Sequence, residues 1–206
     1  AAQPAAVDAI VSGTRQRLSS LSVTAAEKED LAALSAFYAG RSTPLWTAGT
    51  GFSAKGQEVL AEIAKADDWG LKASAFTLPS LAAGATPEAV ADAEAKLGLA
   101  VLKYARHARG GRLDPAKLSK YIDVKPVPAD PKAVLAEIAE APAADAYLRS
   151  LHPKHPQFEM LRQALLKLRA PQAAAEAAPQ QPEVVRIPDG RNIKPGASDP
   201  DVALIR

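Results

Sequence analysis

The sequence predicts an all-α fold: an irregular multi-helix scaffold arranged around one long central helix, about residues 86–109, and followed by an extended C-terminal tail. Three observations carry this. Alanine supplies much of the 48% hydrophobic content while aromatics make up only 5%, a balance that suits close-packed helices better than a sandwich or barrel. Apolar residues recur at steps of three and four in one segment after another. The stretch Thr86 to Pro115 also writes both ends of a helix in its own residues. Thr86 is an N-cap, Pro87 takes the first position where its missing N–H costs nothing, and Glu88 complements the dipole, while Gly110 and Gly111 mark the stop.

At 100° per residue, Val90, Ala93, Leu97, Ala100, Val101, Tyr104 and Ala105 fall on one side of this helix, which continues through Gly98, Leu102 and Ala95. Asp92, Lys96, Lys103, Arg106 and His107 form the clear polar arc, with Leu99 at its edge. A helix apolar round more than half its circumference is covered by other helices. Gly98 inside it costs about 1 kcal/mol relative to Ala, which points to a neighbouring helix approaching closely.

The flanking elements follow in order. Val7, Ile10, Val11, Thr14, Leu18 and Leu21 make the stripe of a first helix. Thr24 and Glu27 have capping-box spacing and open a second, with Leu31, Leu34 and Phe37 inward and a stop near Gly40. Phe37 to Trp46 is a turn that Gly49, Gly51 and Phe52 extend as an irregular loop. Ser53 caps a third helix, with Val59, Leu60 and Ile63 inside, Glu58, Glu62 and Lys65 outside, and Gly70 at a left-handed C-terminal position. Leu71 to Pro79 reads as coil or a short turn, and the proline-rich stretch Leu113 to Asp130 as an extended crossing. Asp130 and Pro131 start a helix with Val134, Leu135 and Ile138 inward, a short helix covers Ala143 to Leu151, and Phe158, Leu161, Leu165 and Leu168 form a further stripe.

By domains, residues 1–169 read as the helical scaffold, 170–183 as an Ala/Pro/Gln-rich linker too poor in apolar residues to order itself, and 184–206 as the start of a second, truncated domain. The formal net charge of +2 gives no indication of nucleic-acid binding, no apolar run is long enough to insert into a membrane, and the absence of cysteine removes disulfides, thiolate metal sites and cysteine nucleophiles from this chain. Nothing in the sequence calls for a cofactor.

Candidate binding residues fall in two groups. Tyr38, Arg41 and Trp46 form the most conspicuous polar-aromatic turn, suited either to gripping a sugar or, the weightier reading, to pinning the loop to the core. Arg109, Arg112 and Asp114 belong to a basic region with Arg106, Lys117, Lys120, Tyr104 and Tyr121. There the weightier reading is again structural, since cations suit a helix C-terminus, and Arg109 is placed to pair with Asp114. His152 and His155 lack a third metal ligand, the carboxylates Glu58, Glu62, Asp67 and Asp68 read as a solvated face, and no catalytic constellation is present, so neither a metal site nor a catalytic residue is assigned.

Several motifs occur in an order that resembles a known family. Phe37-Tyr38 with Arg41 and Pro44-Leu45-Trp46, then Ala66 to Leu71, then Tyr104 with Gly111 to Pro115, are similar to the N-terminal scaffold domain of YcbB-type L,D-transpeptidases. Phe158 to Arg169 resembles the helix preceding that family's peptidoglycan-binding domain, and Ile187 to Gly190, Lys194 to Gly196 and Asp199-Pro200 with Val202, Ile205 and Arg206 resemble the beginning of that domain. The stretch 170–183 is longer than the usual passage, and Val184 and Val185 stand where a tryptophan is usual. The resemblance implies a periplasmic, non-catalytic scaffold partnered by peptidoglycan and by the remaining domains of its parent protein. The family's Ser-x-Gly-Cys-x-Arg motif, whose cysteine attacks a tetrapeptide stem, is not in this chain. The alternative is a stand-alone exported helical module that binds peptidoglycan or a protein partner.

Overall fold

A computed structural model of the chain describes residues 4–113, 117, 119–121 and 126–177. Within them run seven α-helices: α1 (Pro4–Ser20), α2 (Lys28–Ala39), α3 (Ala54–Ala64), α4 (Pro87–Ala108), α5 (Pro131–Glu140), α6 (Ala144–Ser150) and α7 (Pro156–Ala177). The chain divides into two compact units, residues 1–165 and 166–206. In the second, the described residues are the closing turns of α7.

The first unit is built around α4, as its sequence requires. The Thr86 hydroxyl accepts from the Ala89 N–H at 3.3 Å, Pro87 opens the helix, and thirteen of its residues are buried. Helices α1, α2, α3 and α5 all pack against it, and α6 packs on α3. One core results, in which Leu97, Val101, Leu102 and Tyr104 of α4 meet Leu34, Trp46, Ile63, Leu135, Ile138 and Leu148. Small residues set the close approaches. A Cβ on Gly13 of α1 would lie 3.0 Å from the Ala91 Cβ, and one on Gly98 would lie 2.9 Å from both δ-methyls of Leu34.

Caps and turns close the other elements. Glu27 reaches back to Thr24, accepting from its N–H at 3.3 Å and its hydroxyl at 2.8 Å, and a 3-10 turn at Ala25–Glu27 leads into α2. Ser53 caps α3 through the Gly56 N–H, and Gly70 closes the 3-10 turn Ala66–Trp69 at φ +72°, the left-handed conformation expected of it. Asp130 caps α5 by accepting from the Lys132 N–H at 3.0 Å.

The structure departs from the sequence reading in four places. The loop after Trp46 contains a short antiparallel hairpin, Thr47–Ala48 paired with Gly51–Phe52, which two residues per strand are too few to announce. Glu62 is buried, not on the solvent face, because two cationic or polar partners come to it. Leu161 and Leu168 face outward, at 70% and 74% exposure, although they share the three-four spacing of Phe158 and Leu165. Helix α7 also continues through residues 170–177, a run rich in alanine, whose helix propensity is the highest of any residue. The remainder of the expected linker, the tail at 184–206 and most of the crossing segment between 113 and 130 lie outside the described residues.

Gly56 is the tightest of the described glycines. A Cβ there would sit 2.1 Å from the Trp46 carbonyl oxygen, which itself accepts from the Ser53 N–H at 2.9 Å and cannot swing away freely. Gly56→Ala is expected to lower unfolding free energy by about 2 kcal/mol, the overpacking cost less the gain in helix propensity, as read from urea denaturation. An unchanged urea midpoint would contradict this packing.

Candidate functional site

Two groups of polar side chains lie within the first unit, one buried at the middle of α4 and one at its C-terminal end. The first is built on Glu94, which is 0% exposed. Its carboxylate accepts from the Tyr38 hydroxyl at 2.5 Å, the Leu45 N–H at 2.5 Å and the Trp46 N–H at 3.0 Å. A single side chain of the central helix thereby fastens the end of α2 and the turn after it. Burial, with the Glu94 charge added, holds the Tyr38 hydroxyl well above its ordinary pKa, so it stays a donor.

The conspicuous turn is therefore drawn inward. Tyr38 and Trp46 are both wholly buried, leaving neither ring a face toward solvent. Arg41 stacks over Phe37, 5.1 Å from the ring centroid, rather than over Trp46, and donates to the Thr43 carbonyl at 2.9 Å. Arg15 of α1 holds the same turn from outside, donating to the Tyr38 and Arg41 carbonyls, each at 2.8 Å. Glu94 escaped the sequence reading because a helical wheel assigns a face by majority. It falls between Val90, Ala93, Leu97 and Val101, and only knowledge of the facing turn would have shown why a carboxylate belongs there.

At the C-terminal end of α4, the basic residues separate. Arg106 pairs with Asp30 of α2 at 3.2 Å, and Lys103 with Glu27 at 3.1 Å. Burial raises the Asp30 pKa despite the Arg106 charge beside it. Arg109 caps the helix with its side chain exposed, and Arg112, also exposed, donates to the Gly70 carbonyl at 3.3 Å. Asp114, the expected partner of Arg109, lies outside the described residues. Tyr104 turns into the core, where its hydroxyl meets His152 Nε2 at 2.7 Å.

His152 is the centre of an aromatic assembly. It stacks on Trp69 at 4.4 Å between centroids and near Phe158 at 5.9 Å, and the Arg162 guanidinium lies 4.5 Å from the Trp69 ring centroid. Trp69 Nε1 donates to Glu62 at 2.9 Å, and Arg149 donates to the other Glu62 oxygen at 2.8 Å. Trp69, His152 and Phe158 border a cleft of about 580 Å³ whose lining also includes Leu71, His107, Arg109 and Leu151. His107 Nδ1 is buried with no hydrogen-bond partner among the described residues. The helical wheel places His107 in the polar arc of α4 and the sequence pairs His152 only with His155; nothing in their spacing reveals that His107 and His152 line the same cleft. No group of three or more His, Cys, Asp or Glu among the described residues is placed to hold a metal ion.

Burial pushes both histidines down to a pKa of about 4, against an ordinary 6.5, with neighbouring arginines acting in the same direction. For His152, 5% exposed, the consequence for stability is signed. Between these two values the unfolded chain binds a proton that the folded chain refuses, so stability is full above the unfolded pKa and is lost as pH falls toward the folded one. The loss attributable to His152 is on the order of 2 kcal/mol. NMR titration of its ring should show a midpoint near 4 rather than 6.5. A midpoint at the ordinary value would contradict the buried, neutral placement.

The first unit is thus a mostly helical domain, and no described helix is long and apolar enough to cross a membrane. The family described as "Scaffold domain" matches residues 32–165, well over half of the chain, and the chain belongs to that family. No curated protein and no solved structure matches it.

Proposed function

We propose that the chain is the scaffold region of a periplasmic L,D-transpeptidase-like protein engaged in peptidoglycan cross-linking or remodelling, its cysteine nucleophile supplied by a part of the parent protein outside this chain. Membership of the scaffold family supports the reading, as does the order of the motifs from Phe37 to Pro115. The observation that carries it is the inward use of those motifs. Tyr38 and Trp46 are consumed in bonds to Glu94 and in core packing, and Tyr104 in a bond to His152, so the most distinctive residues fasten a rigid body. A support for other modules needs that rigidity more than it needs chemistry of its own.

The sequence of the gene beyond Arg206 tests the proposal. A Ser-x-Gly-Cys-x-Arg motif in frame is expected; a stop codon with no such motif downstream would overturn it. The second reading, a stand-alone exported module binding the wall or a protein partner, is favoured by the open cleft at the end of α4. Sedimentation with purified sacculi separates the two. A scaffold that engages the wall only weakly leaves most of the chain in the supernatant at micromolar concentration, whereas a dedicated binding module pellets with the sacculi.

A further inference from the structure

The residues His152 to Pro156, reading HPKHP, join α6 to α7, and both histidines hold the first turns of α7. Histidine is the one side chain that ordinarily changes charge between about pH 5 and 8. His155 takes the N-cap position. Its Nδ1 accepts from the Gln157 N–H at 3.2 Å, its carbonyl accepts from the Phe158 N–H at 2.9 Å, and Pro156 fills the first helical position, where no N–H is needed. Nδ1 accepts only while it carries no proton. A proton there removes the cap and sets a positive charge at the positive end of the helix dipole, with Lys154 next to it in the chain.

His152 clamps the same turns from inside. Its ring stacks on Trp69 and on Phe158 of α7, at interplanar angles of 10° and 19°, and Arg162, one turn beyond Phe158, lies over the Trp69 ring. Charged and titratable groups surround it on every side. The Tyr104 hydroxyl of α4 meets Nε2, Arg162 is held by both oxygens of Glu159 and is also drawn by Asp68, and His107 and Arg109 line the same cleft. Glu62 of α3 is engaged by Trp69 and by Arg149 of α6, which also pairs with Asp145. No carboxylate among the described residues bonds to His152, so a proton on it is a buried charge with Arg162 as its neighbour. Outside these contacts the grip is light. Leu165 reaches Gly70, at 4.0 Å from where a Cβ would stand, while Met160, Leu161, Gln163 and Ala164 are exposed.

We propose that HPKHP is an acid-sensitive hinge: with both histidines neutral the turns Pro156 to Leu165 are docked on the Trp69 turn, and protonation of the cap and of the clamp releases them. Two independent contacts, one at the helix end and one in the stack, thus fail in the same direction as pH falls. Glu159, held down to a pKa of about 2 by Arg162, keeps its charge throughout, so the response belongs to the histidines. The hinge rests on this junction and not on the scaffold reading.

The full chain has no cysteine of its own, so Ser74→Cys on the body and Ala164→Cys on α7, both exposed, take a pair of spin labels. Pulsed dipolar distance measurements from pH 7.5 to 4 report docking, and circular dichroism follows the helices at each pH. A narrow distribution at pH 7.5 is expected to give way to a broad one, the ratio of released to docked chains rising about tenfold for each histidine protonated and returning on neutralisation. His155→Asn supplies a cap acceptor that takes no proton, and is expected to remove about tenfold of that rise while leaving pH 7.5 unchanged. Adding His152→Phe, which keeps a ring in the stack, is expected to leave the distribution independent of pH; the exposed His155→Asn arm decides the point where that core variant fails to fold. An unchanged distribution in the parent down to pH 4, a His155→Asn chain that responds like the parent, or a folded double variant that still opens overturns the hinge. Loss of the helical signal in step with the opening also overturns it, since release would then be unfolding of the whole body.

Discussion

Glu94→Leu is expected to lower the unfolding free energy by on the order of 3–5 kcal/mol. The reason is the number of donors it leaves behind. The Tyr38 hydroxyl and the Leu45 and Trp46 N–H groups all converge on the one carboxylate, and none lies where water can replace it. A buried donor stripped of its acceptor costs about 1–3 kcal/mol, and three such losses at one point are relieved only in part by local rearrangement. Leucine restores apolar volume in α4 but not the bonds, so the turn between α2 and α3 would loosen. Urea denaturation measures the loss, and hydrogen exchange of the Leu45 and Trp46 amides should rise with it. A shift below about 1 kcal/mol would show that the turn is held by packing alone.

Gly98→Leu ranks second, at about 3 kcal/mol of destabilisation. Here the cost is steric. A Cβ already falls 2.9 Å from two carbons of Leu34, which is 0% exposed, and a whole isobutyl group must displace α2 from α4. Gly98→Ala separates the close approach from simple crowding. The Leu34 methyls are the far end of a flexible side chain, and alanine recovers about 1 kcal/mol of helix propensity, so its net effect is expected within about 1 kcal/mol of zero. Thermal and urea unfolding of the two variants should therefore differ sharply. Equal and small effects would place Gly98 in open space.

The contrast between these residues shows what was legible in the chain itself. Gly98 stood out because glycine violates helix propensity inside a segment whose caps and apolar stripe were otherwise consistent. Thr86, Ser53, Asp130 and Gly70 acted through local chemistry, and each closes its element as its type requires. Glu94, Gly56 and His152 act through partners 48, 10 and 48 residues away in the chain, at Trp46 and Tyr104, and local spacing holds no record of such a partner. The same limit hid the burial of Glu62, whose partners Trp69 and Arg149 arrive from two other elements. It also explains α7, where a three-four stripe was present but only Phe158 and Leu165 of its four members are even partly covered.

The candidate site followed the same division. That the turn at Tyr38, Arg41 and Trp46 was special was evident from its residues; that it faces inward required the position of α4. Arg109 is exposed at the C-cap, at the edge of a cleft and one residue beyond the buried Ala108, and its expected partner Asp114 lies outside the described residues.

A thermodynamic cycle on Tyr38→Phe and Glu94→Leu tests most directly whether the conspicuous turn serves to fasten the fold. Removing the hydroxyl from the parent chain is expected to cost about 2 kcal/mol, the worth of a hydrogen bond to a carboxylate, and to cost close to nothing in the Glu94→Leu background, where it has lost its acceptor. An equal cost in both backgrounds would contradict the account, since Tyr38 would then owe its contribution to something other than the carboxylate of the central helix.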